Sequence, residues 1–204
     1  MSLKHCTKSS RRQGVFLCGH NLDLRSLRIE DVEQSDWYDW FNDESVCQNL
    51  QKHYYPNTRT LQRDFFESMQ RDPSKVQLGI IPKDKDRLVG VVSLSDIDLI
   101  NRNGEFSIVI GDDNFRKGGH SHEALKLLFE HGFFTLNLHK IYGGSVAPLR
   151  RWLESLQEEF GFKPEGVWRE HAFKGGRYVD VIRVGLLRGD FIEYMRRIGE
   201  WTSG

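Results

Sequence analysis

The stretch from Glu105 to Ala124, EFSIVIGDDNFRKGGHSHEA, has residue types and spacing that could bind an anion. A polar loop with Arg116, Lys117, Gly118 and Gly119 leads directly into a helical pattern. The start of a helix offers unpaired backbone N–H groups and the positive end of the helix dipole, and glycines let that backbone approach a ligand closely. The combination predicts a phosphate cradle, although the same residues also form simple solvated turns. Neither a Walker pattern nor GxGxxG is present.

The elements that must position this loop follow from the hydrophobic periodicity. Strand patterns occur at Asn21–Arg28, Val76–Ile81, Leu88–Leu94, Glu105–Ile110, Lys140–Val146, Phe162–Phe173 and Tyr178–Leu187. Helical patterns occur at Glu30–Asn42, after Thr58 as the cap, and at Gly118–Phe134, Leu149–Phe160 and Asp190–Trp201. Short connections favour antiparallel hairpins, whereas strand–helix–strand units near 105–146 and 140–170 favour a local parallel pairing. The predicted fold class is therefore α/β (α+β).

The overall charge and length limit the class of protein. The 204 residues contain 29 Lys+Arg and 29 Asp+Glu, and this balance argues against a nucleic-acid partner. The length suits one domain, which we place at residues 21–190, between a flexible basic tail (1–20) and a C-terminal extension (191–204). Only four apolar residues follow the basic leader, too few for a signal-peptide core or a membrane span.

The three cysteines, Cys6, Cys18 and Cys47, lack the spacing of metal ligands. We interpret them as free thiols in a reducing compartment. The sequence therefore predicts a cytoplasmic protein that binds neither metal nor membrane.

The order of strand, Arg-x-x-Gly loop, helix, strand, helix and Gly-Phe strand resembles the GNAT superfamily of acetyl-CoA-dependent N-acetyltransferases. The coenzyme motif of that family is Gln/Arg-x-x-Gly-x-Gly/Ala, and RKGGHS at 116–121 matches it with Ser in the last place. EGVWRE at 165–170 and GGRYVD at 175–180 resemble the branch of ribosomal-protein, spermidine and amino-sugar acetyltransferases. The resemblance implies a mixed, mostly antiparallel sheet of about seven strands with splayed central strands, flanked by four or more helices.

The resemblance also implies acetyl-CoA as co-substrate and a set of residues that bind it. Backbone groups of the strand that enters the site would pair with pantetheine, and the loop and helix start would hold the pyrophosphate. These residues are Ile108, Val109, Ile110, Arg116, Lys117, Gly118, Gly119, His120 and Ser121.

Glu105 is the expected general base, because an alkyl amine with a pKa near ~10 must lose a proton before it attacks. The alternative interpretation of Glu105 is a structural carboxylate paired with Arg102 or Lys126. Asp96 and Asp98 on the preceding turn are the other candidate bases.

The sequence departs from the family in the helix before Gly161. Gln157 stands where the family often has a Tyr that protonates the leaving thiolate, and Arg150 stands at an Asn position. Gln cannot act as an acid. Ser155, Tyr142 or solvent could replace the Tyr, and Arg150 could contact a coenzyme phosphate or remain a surface cation.

The predicted function is acetyl transfer to a primary amine: an amino-sugar nucleotide, a polyamine or a protein N-terminus. Residues 37–55 are expected to wall the acceptor site, with aromatics that either stack on the acceptor or belong to the core. A non-catalytic acyl-CoA-binding module and an unrelated phosphate-binding protein are the alternatives. A homodimer is left open.

Overall fold

Eight strands form one mixed sheet in the computed structural model, which describes residues 14–48, 50, 55–116, 119–146 and 149–201. Across the sheet their order is β1-β2-β3-β4-β5-β6-β8-β7. β5 and β6 run parallel, and the other neighbours run antiparallel. The strands are β1 (Val15–Cys18), β2 (Leu22–Ser26), β3 (Val76–Pro82), β4 (Gly90–Asp98), β5 (Asn103–Ile110), β6 (Lys140–Val146), β7 (Lys163–Lys174) and β8 (Arg177–Leu187).

Six α-helices in the described part of the chain accompany the sheet, with short 3₁₀ turns at Asp39–Phe41 and Asp113–Phe115. The helices are α1 (Ile29–Gln34), α2 (Glu44–Cys47), α3 (Arg59–Gln70), α4 (His120–Phe134), α5 (Arg150–Phe160) and α6 (Arg188–Arg197). No helix in these residues is both long and apolar enough to cross a membrane.

The predicted α/β (α+β) class and mostly antiparallel sheet are confirmed, but the strand count is eight rather than about seven. The additional strand is β1, whose Leu17 and Cys18 pair with Leu24 and Asp23 of β2. It lies inside the segment that we assigned to the tail, so the sheet begins before residue 21. The unit near 140–170 gives no parallel pair, because β8 lies between β6 and β7.

The ends of the helices follow from local side-chain chemistry. The helical pattern over 30–42 is interrupted after Gln34, because the Ser35 hydroxyl donates to the carbonyl of Asp31 and accepts from the Trp37 N–H at 3.1 Å. The predicted cap at Thr58 is confirmed, since its Oγ1 accepts from the Leu61 N–H at 3.2 Å.

The two faces of the sheet bury separate cores. On one face α4, α5 and α6 pack against residues such as Phe106, and Phe191 and Met195 of α6 extend this core past residue 190. On the other face Trp37 and Trp40 pack with residues of β3 to β5. These two indoles are therefore core side chains rather than walls of an acceptor site.

The cysteines differ from their prediction at one position. Cys47 is a free, buried thiol that donates to the Trp40 carbonyl at 3.3 Å. Cys18 is disulfide-bonded, so its interpretation as a free thiol is wrong. Cys6 lies outside the described residues.

Candidate active site

The parallel pair β5 and β6 diverges soon after it forms. Asn103, Gly104 and Glu105 are in register with Lys140, Ile141 and Tyr142, and the pairing ends there. Beyond this point β5 continues beside β4 as far as Ile110, and β6 continues beside β8 as far as Val146. The predicted splay is therefore present, and it leaves one edge of β5 without a strand partner in the part of the chain that the structure describes.

The predicted pantetheine-binding residues lie along this open edge. Ile108 and Ile110 pair with Val92 and Gly90 of β4, so only their opposite edge is available. Their side chains pack partly buried against the α4 side, whereas Val109 is buried on the other face. Backbone N–H and C=O groups on an open edge need partners, and an extended ligand can supply them.

The Arg116 guanidinium is occupied by the protein itself. Its Nε donates to the Ile110 carbonyl at 3.1 Å, and its Nη atoms lie 3.3 and 3.4 Å from the Ser45 Oγ. Nη1 also forms an ion pair with Asp113 at 2.7 Å. Arg116 thus braces the end of β5 against α2, a role that the sequence pattern did not reveal.

The start of α4 has the geometry of an open helix N-terminus. Gly119 is the N-cap residue in a left-handed conformation (φ 81°), and no side chain caps the helix. The His120 ring packs edge-on against Phe115 with centroids 5.0 Å apart, and Ser121 follows in the first turn. Lys117 and Gly118, which were predicted for this cradle, lie outside the described residues.

Glu105 lies where β5 and β6 separate, on the sheet face that also carries Val109. Its Oε1 forms an ion pair with Nη2 of Arg183 at 2.8 Å, and its side chain is 31% exposed. The partners considered for a structural role are engaged elsewhere: Arg102 donates to Asn137, and Lys126 pairs with Glu130 and Glu200.

Two aromatic rings accompany this ion pair. The Arg183 guanidinium lies 4.3 Å from the ring centroid of Trp168 and 5.5 Å from that of Tyr142. Burial raises the pKa of the Tyr142 phenol, and the nearby charge of Glu105 adds to this shift. The phenol therefore stays protonated at neutral pH.

The alternative bases have different surroundings. Asp98 closes its own turn, since its carboxylate accepts from the N–H groups of Ile100 and Asn101 and from the Asn101 side chain. The hydrogen bonds from Asn101 lower the pKa of Asp98, so it is a poor proton acceptor. Asp96 is exposed in a bulge of β4, opposite the start of β5.

Of the three residues singled out on α5, Ser155 is the candidate acid, and its hydroxyl proton is engaged in this conformation. The Ser155 hydroxyl donates to the Trp152 carbonyl at 2.8 Å. Arg150 is 79% exposed, with Nε 3.4 Å from Glu154, which agrees with a helix-surface cation. Gln157 lies half-buried on the same helix.

Arg183 is the residue of this site that sequence reasoning missed. It lies far along the chain from Glu105, and the two meet only because β8 inserts beside β6. The one available signal was the Gly143-Gly144 pair, which marks a strand where another group approaches closely. Within the described ranges, no group of His, Cys, Asp and Glu side chains could hold a metal ion.

Comparison with known proteins agrees with this geometry. The family model described as Acetyltransferase (GNAT) domain matches residues 21–147. Spermidine N(1)-acetyltransferase of Vibrio cholerae serotype O1 is 34% identical over 113 residues, which cover 55% of this chain and 64% of that protein. The corresponding enzyme of Escherichia coli K12 is 26% identical over 181 residues, 89% of this chain and 94% of that protein.

Superposition on solved structures indicates the same family. The spermidine N-acetyltransferase of Vibrio cholerae, crystallised in complex with CoA and spermine, superposes with a TM-score of 0.76 at 26% identity. The match covers 84% of this chain and 98% of that chain. The chain belongs to the GNAT acetyltransferase family, as an acetyl-CoA-dependent N-acetyltransferase that acts on a primary amine.

Proposed function

We propose that Glu105 is the general base of this acetyltransferase and that acetyl-CoA occupies the opening between β5 and β6. One observation carries the proposal: the two strands separate directly after Glu105, so the carboxylate lies where the open edge of β5 begins. A donor bound along that edge and an amine beside Glu105 would meet at the same point.

The residues present fit the acetyl donor. The open edge of β5 from Ile108 to Ile110 offers backbone groups to the two amides of pantetheine, apart from the Ile110 carbonyl, which already accepts from Arg116. The start of α4, where no described side chain caps the helix, offers the positive end of the helix dipole and first-turn N–H groups to the pyrophosphate. When bound, acetyl-CoA supplies an acetyl group already activated as a thioester.

The chemical step that residues of this chain must catalyse is the removal of a proton from the amine. Alkyl amines have a pKa near ~10, so most of the acceptor is charged at neutral pH. Glu105 would take that proton, directly or through a water, and free the nitrogen lone pair before attack. The C–N bond then forms, the C–S bond breaks, and the second proton of the nitrogen passes to water as the amide forms. A thiolate with a pKa near ~8.5 leaves readily, and Tyr142, whose pKa is raised, is a poor donor. We therefore assign protonation of the thiolate to water.

The acceptor that we favour is a linear polyamine. Three of the relatives are named spermidine N(1)-acetyltransferases, and a solved neighbour was in complex with spermine. Asp96 supports this choice, since it lies exposed near Glu105 without an ion-pair partner among the described residues. A higher kcat/KM for spermidine than for an amino-sugar nucleotide or a peptide N-terminus would support this choice.

Glu105→Gln tests the base directly. We expect kcat to fall by roughly 10²–10⁴-fold at neutral pH, with the Kd of acetyl-CoA unchanged. The loss should shrink at high pH, where more of the amine is already free. Glu33→Gln is the matched control, because Glu33 forms an exposed ion pair with Arg63 at 2.6 Å. A Glu105→Gln enzyme with wild-type kcat at neutral pH would place the base elsewhere, with Asp96 next.

The cytoplasmic location, the homodimer and the lack of a nucleic-acid partner stay predictions. The disulfide at Cys18 removes the thiol argument for a reducing compartment at that residue. Size-exclusion chromatography with light scattering would measure the oligomeric state.

A further inference from the structure

We propose that Arg183 is a positioning residue for acetyl transfer, which holds the carboxylate of Glu105 in one orientation. The proposal rests on the role assigned to Glu105 above. Arg183 projects from β8, and Glu105 from β5, with β6 between them. Arg183 therefore forms its ion pair across the whole width of β6, and this arrangement requires an explanation.

The path of the side chain shows how this reach is achieved. Neighbouring strands lie about 4.8 Å apart, so Glu105 is roughly two such spacings from the backbone of β8. Arg183 must therefore lie along the surface of the sheet rather than stand away from it. The whole Arg183 side chain is only 13% exposed where it meets Glu105.

A glycine on the intervening strand opens this path. Gly144 of β6 is in register with Arg183. A Cβ at Gly144 would lie 2.9 Å from Cδ and 3.0 Å from Nη1 of Arg183. Any larger residue at this position would push the arginine away from the sheet.

The guanidinium is held from its other sides by aromatic rings. It lies over Trp168 of β7 at 4.3 Å and near the ring of Tyr142 at 5.5 Å. Such cation–π contacts are attractive, and the attraction grows as the cation loses water. Glu105 is the only acidic partner of Arg183 within the described ranges. A poorly hydrated ion pair of this kind is oriented more firmly than an exposed one.

The ion pair with Arg183 engages only one of the two carboxylate oxygens of Glu105. Oε1 carries the ion pair, whereas Oε2 has no hydrogen-bond partner among the residues that the structure describes. Fixing one oxygen reduces the orientations open to the other, and so brings a base closer to its productive geometry before the amine arrives. Arg183 would then affect kcat more than the KM of either substrate.

Arg183→Met tests this role because it keeps an apolar stem against Trp168 and removes the charge. We expect kcat to fall roughly ten- to a hundredfold, the range for residues that orient a functional group, while KM values change less than threefold. Arg183→Lys should retain more activity than Arg183→Met. Arg63→Met is the matched control, since it removes the exposed ion pair with Glu33 and should leave kcat unchanged.

Gly144→Ala is a second variant, which displaces Arg183 without removing it. The two nearest side-chain atoms to the new methyl group belong to the flexible Arg183, whereas the Ile182 carbonyl oxygen, also 3.0 Å away, must shift by a few tenths of an ångström. We expect a fall in kcat in the same direction as for Arg183→Met. Circular dichroism and the melting temperature would confirm that each variant is folded.

A double-mutant cycle with Glu105→Gln separates the two proposals. If Arg183 acts through Glu105, Arg183→Met should cost little further activity in the Glu105→Gln enzyme. An equal fold loss in both backgrounds would overturn the positioning role, as would a folded Arg183→Met enzyme with wild-type kcat. If Glu105→Gln itself kept the wild-type rate, both the base assignment and the role of Arg183 would fail.

Discussion

The position of Glu105 is determined by the register between β5 and β6 rather than by interactions of its own side chain. It is the last residue of β5 that pairs with β6, opposite Tyr142. A one-residue shift in that register would turn the carboxylate to the other face of the sheet, into the core around Phe106. The position of the proposed base therefore depends on the short parallel pairing between β5 and β6.

Tyr142→Phe tests whether the departing thiolate needs an acid. The substitution removes the hydroxyl but keeps a ring for the Arg183 guanidinium. Because we assign the proton to water, kcat at neutral pH should stay within about threefold of the wild-type value. Steady-state release of free thiol measures it. A tenfold or larger loss, without a change in melting temperature, would make Tyr142 the acid.

The sequence indicated Glu105 as a candidate base, and this role stays a prediction; the ion-pair partner of Glu105 was not predicted. Its position at the start of a strand before the glycine loop suggested a base, and Asp98 already ranked below it as a turn carboxylate. The three hydrogen bonds that Asp98 accepts add a physical reason for that order. Arg183 belongs to a distant strand. Periodicity finds strands but does not give their order, and that order brings Arg183 to Glu105.

At the scale of elements, the start of α4 joins the site to the sheet. Arg116 fixes the end of β5 to α2, and the chain then turns through Gly119 in a left-handed conformation before the helix begins. A Cβ at Gly119 would contact nothing within 4 Å. Glycine is thus favoured at position 119 by the positive φ angle of the backbone and by any ligand that approaches this backbone.

Gly119→Val should weaken acetyl-CoA binding at least tenfold, about 1.4 kcal/mol, because a branched side chain would stand between the backbone and the pyrophosphate. Isothermal titration calorimetry measures the Kd. Gly176→Val is the matched control, since Gly176 also has a positive φ (78°) and open space around its Cβ. Both variants should lose roughly 1–3 kcal/mol of stability from backbone strain.

Equal effects of the two variants on acetyl-CoA binding would contradict the cradle at α4. The comparison matters because positive-φ strain alone lowers stability at either site. Only a difference in ligand affinity between the two folded variants reports on the helix start.

Elements with strong local signals were predicted well. The bounds of β6 were correct at Lys140–Val146, and α5 begins one residue after its predicted start at Leu149. β1 was missed because four residues beside a basic leader carry too little periodicity to be distinguished from a tail. The position of β8 between β6 and β7 depends on long-range pairing that no local pattern encodes.

At the scale of the whole molecule, burial of a titratable group links stability to pH. His131 of α4 is buried and contacts the ring of Phe16, with centroids 5.0 Å apart. Burial lowers the pKa of His131. The unfolded chain therefore takes up a proton more readily than the folded one, so this contribution to stability is present above about pH 6.5 and is lost as the pH falls.

His131→Gln should reduce the fall in unfolding free energy between about pH 7.5 and pH 5.5, because the group that prefers to be neutral in the folded state is gone. Urea denaturation at several pH values measures it. His139→Gln is the control, since His139 is exposed. An unchanged pH profile in the His131→Gln protein would show that other groups determine the acid limb.

At the scale of the whole molecule, transfer of acetyl from acetyl-CoA to an amine differs from mere binding of the coenzyme in its products. The most direct measurement is the release of free CoA thiol with and without spermidine, together with mass spectrometry of the amine. We predict acceptor-dependent thiol release and one acetylated amine for each thiol formed. Stabilisation of the folded protein by acetyl-CoA, with no thiol released above background for spermidine, an amino-sugar nucleotide or a peptide N-terminus, would contradict acetyl transfer and indicate a non-catalytic acyl-CoA-binding module.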